Sequence, residues 1–333
     1  MTNTELAISN IDFSNLRPDL LEILLIHYDT STYSINNEFS KLAGIVGSKK
    51  ITFTTLPEEC SFTEFSNVLK LLTSAEVLTV LLGGKNVNFS SQHFESINFD
   101  AFSQSWIIVD PRLAFDEHYR KNLNLLIGEG NCKVKFLGHQ THLVPSSELD
   151  YLYKYTIEAL RLGQIRQNID RVEPWCRTTD HAIINLESLR KSDFKAKKDT
   201  NPGGFFYEEA CKICQFIGAS SHLKTIGFYG YDASKDPENH AAAVVAQLIW
   251  YLLDGYFNYR EEKQIEKSKL IQYIVHASHR DLDINFWKSN ETGRWWMEVP
   301  GHENYWISCT YDDYLEASKG EFSPRLISVL NQG

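Results

Sequence analysis

Short apolar runs alternate along this chain with longer segments whose apolar residues recur at helical spacing. The runs VLTVLL (77–82), WIIV (106–109) and HAII (181–184) have the length and composition of strands buried on both faces. The clearest helical segments are 64–73, 148–167, 206–217 and 239–257. Such alternation is typical of a parallel sheet covered by helices on both sides. The chain is therefore predicted to be an α/β protein, a three-layer α-β-α sandwich with a mainly parallel sheet.

A short polar cluster follows each of the three runs. These clusters are Lys85 with Asn86, Asp110 with Arg112, and Asn185 with Glu187. Each one taken alone is more often a turn or a helix cap than a ligand-binding group. In an open parallel sheet, however, ligands bind outside the carboxyl ends of the strands, so the three clusters are predicted to meet in one site.

The order and spacing of the clusters resemble the ureohydrolase superfamily of arginases, agmatinases and formimidoylglutamases. That superfamily carries G-G-D-H after one strand, D-A-H-x-D after the next and S-x-D-x-D-x-x-D-P after a later one, and these motifs supply the ligands of two manganese ions. Gly83 and Gly84 match the glycines of the first motif, but its aspartate and histidine fall on Lys85 and Asn86. The resemblance implies an arginase-like fold.

The other motifs depart from the superfamily in the same way. Asp110 is kept, but Arg112 replaces the histidine of the second motif and Ala114 its last aspartate, while the ligand aspartates of the third motif fall on Asn185 and Glu187. The later P-G-G segment and the acidic residue that follows it are retained as Pro202, Gly203, Gly204 and Glu208. The resemblance is strongest over residues 75–260, and the scaffold matches better than the site.

Two divalent ions bridged by a hydroxide need several carboxylate ligands. Asp110 and Glu187 are the only acidic side chains at the six ligand positions, whereas Lys85 and Arg112 bring fixed cations that oppose metal binding. The sequence predicts that no binuclear cluster forms and that Arg112 bridges Asp110 and Glu187 as an internal counter-ion. The alternative is a solvated Arg112 in a loop refolded around Pro111.

The predicted site has two parts. The former metal-centre pocket consists of Lys85, Asn86, Asp110, Arg112, Ala114, Asn185 and Glu187. The resemblance implies a substrate-side pocket at Gly230, where the substrate-binding glutamate is lost, and at His139. No catalytic residue, metal ligand or cofactor is expected, and manganese is expected only if the site has been rebuilt.

Histidine and cysteine pairs offer a weaker metal alternative. Histidines recur three residues apart at 139/142 and at 276/279, and either pair could hold zinc if a carboxylate approached. Cys211 and Cys214 form a C-x-x-C, but their spacing places both on the apolar face of a helical segment. Packing in the core is therefore the favoured role of these two thiols.

The charge balance limits the partners. The chain has 43 acidic and 33 basic residues, a formal net charge of −10, which does not favour nucleic acid or an anionic membrane surface. The densest basic segment, RKSDFKAKK (190–198), is predicted to be a solvated loop. No apolar run approaches the roughly 18 residues that span a bilayer, and the amino terminus does not read as a signal peptide, so no membrane insertion and a cytoplasmic location are expected.

Length and a 43% apolar content fit a single arginase-like domain over residues 1–333, with an aromatic-rich C-terminal extension at 281–333. The extension is expected to fold back as a strand and a helix that close the edge of the sheet. The alternative is a subunit or partner contact, because large aromatic side chains are enriched at interfaces. Members of the superfamily commonly oligomerise, so the resemblance implies a homo-oligomer or a protein partner.

Three functions from different classes remain open. The favoured one is a non-catalytic scaffold or partner-binding protein, because most of the metal ligands are missing. The second is an active C–N (amidine) hydrolase such as a formimidoylglutamase, with a rebuilt metal site. The third is a protein that binds an anion or an amino acid through Lys85 and Arg112, since these side chains commonly anchor carboxylates and phosphates.

Overall fold

The structure is a computed structural model that describes residues 17–28, 30–42, 51–57, 59–85, 88–97, 104–113, 132–155, 157–258, 267–277, 282–299, 305–323 and 325–327. Its main sheet contains the strands β1 (Ile23–His27), β2 (Ile51–Thr55), β3 (Leu78–Leu82), β4 (Gln104–Val109), β5 (Cys132–His139), β6 (Glu158–Arg161), β7 (His181–Asn185) and β8 (Thr225–Tyr229). The strand order is β2-β1-β3-β8-β7-β4-β5-β6, and every neighbouring pair is parallel.

Helices cover both faces of this sheet. They are α1 (Tyr33–Phe39), α2 (Phe62–Ser74), α3 (Asn88–Ser96), α4 (Ser146–Lys154), α5 (Leu162–Gln167), α6 (Glu173–Cys176), α7 (Tyr207–Gly218) and α8 (His240–Asn258). Side chains of α1, α5, α6, α7 and α8 form one core with the sheet, and those of α2, α3 and α4 form the other. The predicted three-layer sandwich is confirmed. No helix within the described ranges is long and apolar enough to cross a membrane.

The central strands are mostly apolar because both of their faces are covered. In β1, Ile23 and Leu25 point into the core beneath α1 and α8, whereas Leu24 and Ile26 point into the opposite core. All four side chains are fully buried. The short continuous apolar runs in the sequence are therefore the signature of doubly covered strands.

A crevice is expected where the chain changes direction around β4. After β4 the chain builds β5 and β6 outward on one side, and it then returns to place β7 on the other side of β4. The loops that leave β4 and β7 run in opposite directions, which opens a crevice at their carboxyl ends. Asp110 and Asn185 stand at this crevice, at the ends of the two strands.

Three of the four predicted helices are confirmed, as α2, α7 and α8. The prediction of a single helix over 148–167 is wrong, because this segment contains α4, the strand β6 and then α5. β6 pairs with the edge of β5, and Lys135 of β5 lies 3.7 Å (Nζ to Oε2) from Glu158 of β6. Hydrogen bonding at the sheet edge thus overrides the helical spacing of the apolar residues.

A second, antiparallel sheet lies in the C-terminal part of the chain. Its strands are β9 (Leu270–Ala277), β10 (Leu282–Ser289), β11 (Trp295–Glu298) and β12 (Trp306–Cys309), in the order β12-β11-β10-β9, and helix α9 (Tyr311–Ser318) follows. The expectation that the aromatic segment closes the edge of the main sheet is therefore wrong. Alternate aromatic and aliphatic side chains, including Phe286, Trp295 and Met297, give this small sheet a core of its own.

Arginine side chains join the small sheet to the main body. Arg177 donates through Nη1 to the backbone oxygen of Trp295 at 2.9 Å, and its guanidinium lies 4.7 Å from the ring centroid of Trp296. From the small sheet, Arg294 Nε lies 3.1 Å from Glu173 Oε1. The single-domain organisation of residues 1–333 stays a prediction.

Three hydrogen-bonded polar side chains lie inside the core near the start of β7 and β8. The Thr225 hydroxyl is 2.7 Å from His93 Nε2 and 2.8 Å from His181 Nδ1, and all three residues are fully buried. Burial lowers the pKa of His93 to about 3 and that of His181 well below its usual value, since the protonated imidazolium is poorly solvated there. Both histidines are therefore neutral in the folded protein.

Candidate functional site: a charged cluster at the β4–β7 crevice

Asp110 occupies the crevice and is fixed by two hydrogen bonds. Its Oδ2 accepts from Asn185 Nδ2 at 2.7 Å, and its Oδ1 accepts from the backbone N–H of Arg112 at 2.7 Å. The Oδ1 of Asn185 in turn accepts from the backbone N–H of Glu187 at 3.0 Å. Side chains of the protein therefore fill the place where an open α/β sheet usually receives its ligand.

Arg112 is bound by two carboxylates. Its Nη1 donates to Glu187 Oε2 at 2.9 Å, and its Nη2 donates to Asp199 Oδ2. The predicted bridge from Asp110 to Glu187 is thus corrected, because the guanidinium joins Glu187 to Asp199 instead. The second carboxylate partner, Asp199, comes from the loop that returns over the site.

We call this group the Arg112 cluster, and it comprises Asp110, Arg112, Asn185, Glu187 and Asp199. Leu113 shapes the turn beside it with a φ of 51°, an uncommon left-handed value for a branched residue. The Leu113 side chain is buried in the core formed with α2 and α3. This backbone conformation sends Leu113 into the core and leaves Arg112 facing the two carboxylates.

The pKa values of the two aspartates of the cluster are shifted in opposite directions. Burial raises the pKa of Asp110, and the hydrogen bonds from Asn185 and the Arg112 backbone offset only part of this effect. Burial also acts to raise the pKa of Asp199, but the Asn201 N–H and the Arg112 guanidinium outweigh it and lower that pKa. The charge of Arg112 is therefore balanced chiefly on the side of Asp199 and Glu187.

Lys197 adds a second buried cation next to the cluster. Its side chain is fully buried, and its Nζ donates to the backbone oxygens of Glu187, at 3.1 Å, and Leu189. Burial lowers the pKa of Lys197, while Asp199 and Glu187 act in the opposite direction. The prediction that 190–198 is a solvated loop is wrong for this residue, because the loop folds over the site and encloses its own lysine.

The structure brings Gly230 against the cluster and places His139 at the end of β5, the strand next to β4. A Cβ atom at Gly230 would lie 3.4 Å from Asn185 Oδ1 and 3.7 Å from Glu187 Cγ. His139 is buried at the end of β5, where burial and the neighbouring Arg161 lower its pKa. Its backbone pairs with that of Arg161 in β6.

The structure describes only some of the remaining predicted positions. Lys85 is exposed after β3, and Asn86 and Ala114 lie outside the described residues. Cys211 and Cys214 are buried in α7, so their predicted role in core packing is confirmed. Of the histidine pairs, His142 is exposed, His276 Nδ1 lies 2.8 Å from Asp283 Oδ1, and position 279 is not among the described residues.

Sequence reasoning missed Asp199 and Lys197, which lie ten or more residues beyond β7. The retained Pro202-Gly203-Gly204 turn is the signal that could have found them, because it returns the chain over the crevice. Just before it, the backbone N–H of Asn201 donates to Asp199 Oδ1 at 2.9 Å, and the backbone N–H of Gly203 donates to Asn201 Oδ1 at 3.2 Å. These two hydrogen bonds fix the backbone after Asp199 and hold its carboxylate toward Arg112.

No protein-family profile and no curated protein matches this sequence. Solved structures do match. Formimidoylglutamase from Bacillus subtilis aligns with a TM-score of 0.62 and 14% identity over 74% of this chain and 89% of its own. Formiminoglutamase from Trypanosoma cruzi, crystallised with manganese, aligns at 0.60 and 13% over 73% and 96%. Agmatine ureohydrolase from Thermoplasma volcanium aligns at 0.60 and 12% over 77% and 96%. The resemblance read from the motifs is confirmed at the level of the fold.

The described residues of the Arg112 cluster do not fit a pair of manganese ions. The Arg112 guanidinium already holds Glu187 and Asp199, and Asp110 accepts hydrogen bonds from an amide and a backbone N–H. Within the described ranges, no three His, Cys, Asp or Glu side chains are grouped so as to hold a metal. The Arg112 guanidinium therefore stands among the carboxylates that a divalent cation would need.

Proposed function

We propose that this chain is a non-catalytic protein of the arginase-like fold, which serves as a scaffold or binds a protein partner. The observation that carries this proposal is the position of the Arg112 guanidinium, hydrogen-bonded to Glu187 and Asp199 at the crevice where the sheet would otherwise take a ligand. A fixed cation at this point repels divalent ions and consumes the carboxylates they would need. Without metal, the ureohydrolase reaction loses the two metal ions that generate its hydroxide nucleophile.

The two alternatives have less support. An active amidine hydrolase would need metal ligands from positions other than the Arg112 cluster. An anion or amino-acid binding protein would use Lys85 and Arg112, but both terminal nitrogens of Arg112 already donate to carboxylates, so an incoming anion would have to displace them. Lys85 alone is an exposed cation, which holds an anion only weakly.

We place the protein in the cytoplasm as part of this proposal. Its six cysteines are all unpaired, which fits a reducing compartment. Self-association or a protein partner is proposed as well. Neither nucleic acid nor a membrane is proposed as a partner, given the net charge of −10.

The test is the metal content of the purified native protein after incubation with excess manganese, measured by elemental analysis against protein concentration. We expect a ratio near zero. A ratio of about two ions per chain, the stoichiometry of a binuclear hydrolase, would overturn the proposal and favour the hydrolase. The matched control is the combined variant Asn86→His, Arg112→His, Ala114→Asp, Asn185→Asp and Glu187→Asp, which should gain manganese if these positions correspond to the lost ligands.

A further inference from the structure

The outer strand of the small sheet presents an open edge. β9 pairs with β10 on one side, and within the described part of the chain no strand pairs with its other side. β9 spans eight residues, LIQYIVHA, with no proline and no Lys, Arg, Asp or Glu. Natural edge strands are usually protected by a charged side chain, a proline, a bulge or a short length. β9 has none of these protections.

The direction of the backbone groups along β9 follows from its neighbours. Ser289 of β10 donates its N–H to Arg294 at 2.8 Å, on the side of β11, and Asn290 donates its N–H to the Lys269 oxygen at 3.3 Å. Because hydrogen-bonded and non-hydrogen-bonded pairs alternate in an antiparallel ladder, Leu270, which faces Ser289, directs its backbone groups away from β10. The same alternation directs the N–H and C=O groups of Gln272, Ile274 and His276 to the open edge.

Two isoleucines on opposite faces of β9 remain exposed. Ile274 is 63% exposed and Ile271 is 42% exposed, and side chains three residues apart in a strand point to opposite faces. A single covering helix or loop would bury only one of them. A neighbouring strand would shield both, because it extends the two faces of the sheet together.

We propose that β9 pairs antiparallel with β9 of a second copy of this chain. A two-fold register centred on Tyr273 sets Leu270 opposite His276 and Gln272 opposite Ile274, so all four residues with outward groups are paired, giving about eight hydrogen bonds across the dyad. On one face, Ile271 lies beside Val275 of the second copy, whose side chain belongs to the core of the small sheet. On the other face, the two Ile274 side chains become diagonal neighbours.

The charges near β9 also favour a second copy of this chain as the pairing partner. In this acidic chain, β9 brings no acidic side chain to the dyad. Lys267 and Lys269 precede β9, and Asp283 stands opposite His276 near its far end. Antiparallel pairing therefore brings the lysine end of one copy within roughly 10 Å, two strand spacings, of the Asp283 end of the other. The joined sheets would form one continuous sheet across the dyad.

The experiment is sedimentation velocity on the full-length protein over a concentration series. We expect a dimer with twice the chain mass of 38.3 kDa. Ile274→Pro removes an N–H that points to the open edge and that β10 does not use, so the fold should persist while the dimer is lost. Ile274→Lys keeps the backbone groups and should raise the dimer dissociation constant at least about tenfold, because the change enters twice across the dyad. Tyr153→Lys, at an 81% exposed side chain on α4, is the matched control and should leave the dimer unchanged.

Hydrogen exchange on the unaltered protein gives a readout that needs no variant. The amides of Leu270, Gln272, Ile274 and His276 should exchange at least about tenfold more slowly at high than at low protein concentration, because dilution opens the edge. A wild-type monomer throughout the series would overturn the proposal. A dimer that survives both Ile274 variants, or edge amides that exchange independently of concentration, would overturn it as well. Metal content in the same preparations is a separate readout, so this inference and the proposed loss of metal binding fail independently.

Discussion

Replacing Arg112 with methionine removes the cation from the Arg112 cluster and keeps most of the side-chain length. Glu187 and Asp199 then lose the guanidinium that joins them, although Lys197 remains beside them, in a site where their side chains are only 14% and 12% exposed. Breaking one partner of a buried ion pair costs about 3–5 kcal/mol, because the remaining charge is left unpaired. Arg112 is itself 32% exposed, so water screens part of this effect, and we expect a loss of about 2–4 kcal/mol in the free energy of unfolding at neutral pH.

Urea unfolding followed by circular dichroism measures this loss, with Lys224→Met as the control. Lys224 is 38% exposed and makes an ion pair with one carboxylate, its Nζ lying 3.2 Å from Asp180 Oδ1. An exposed pair of this kind contributes about 0.2–1 kcal/mol. The two variants thus remove cationic side chains of similar exposure. Arg112→Met leaves two carboxylates without that partner, whereas Lys224→Met leaves one.

The pH dependence of the Arg112→Met effect gives a second check. The folded state lowers the pKa of Asp199, so the stabilisation from its ionised form is present above the unfolded pKa of about 3.9 and is lost as pH falls through the lower, folded pKa. The difference between wild type and Arg112→Met should therefore shrink below about pH 4. A loss no larger than that of Lys224→Met, or one independent of pH, would show that Arg112 is solvated and would refute this account of the site.

Two further predictions concern buried groups away from the cluster. The pKa of His93 is about 6.5 in the unfolded chain and about 3 in the folded protein. Protonation of this histidine therefore does not reduce the free energy of unfolding above pH 6.5, but it lowers that free energy by about 1.4 kcal/mol per pH unit as the pH drops below 6.5. His93→Gln should reduce that slope in urea titrations at a series of pH values, and an unchanged slope would contradict the assignment. Of the six cysteines, only Cys60 is partly exposed and the other five are buried, so a thiol reagent should modify about one thiol per native chain and all of them after denaturation. Two or more reactive thiols in the native protein would mean that a buried cysteine such as Cys211 becomes accessible.

The sequence predicts the main sheet well because its signal is local. A strand that is buried on both faces is mostly apolar, so runs such as 77–82 and 181–184 can be recognised without tertiary information. The polar residues at the ends of β4 and β7 could also be predicted to lie together, because the carboxyl ends of parallel strands meet at the same edge of the sheet. Asp110, Asn185 and Glu187 accordingly lie together in the structure.

The parts that sequence reasoning missed depend on contacts between distant segments. Nothing in the immediate surroundings of Asp199 distinguishes it from a solvated acid, and only the return of the chain after 190–198 brings it to Arg112. The strand β6 carries helical spacing but is set by its ladder with β5. The small sheet cannot be predicted from the aromatic residues alone, because its strand β9, which begins at Leu270, precedes the aromatic-rich segment at 281–333.

The hydrogen-bonded state of Arg112 also bears on the evolutionary history that such a site permits. Arg112→His alone would strand Glu187 and Asp199 before enough ligands exist to hold a metal, and adding carboxylates first would place more negative charge beside an already balanced cluster. The effects of these changes are coupled, so each single step lowers stability. The Arg112 cluster therefore resists piecemeal replacement, because a single substitution at Arg112, Glu187 or Asp199 leaves one of the remaining charges without its partner.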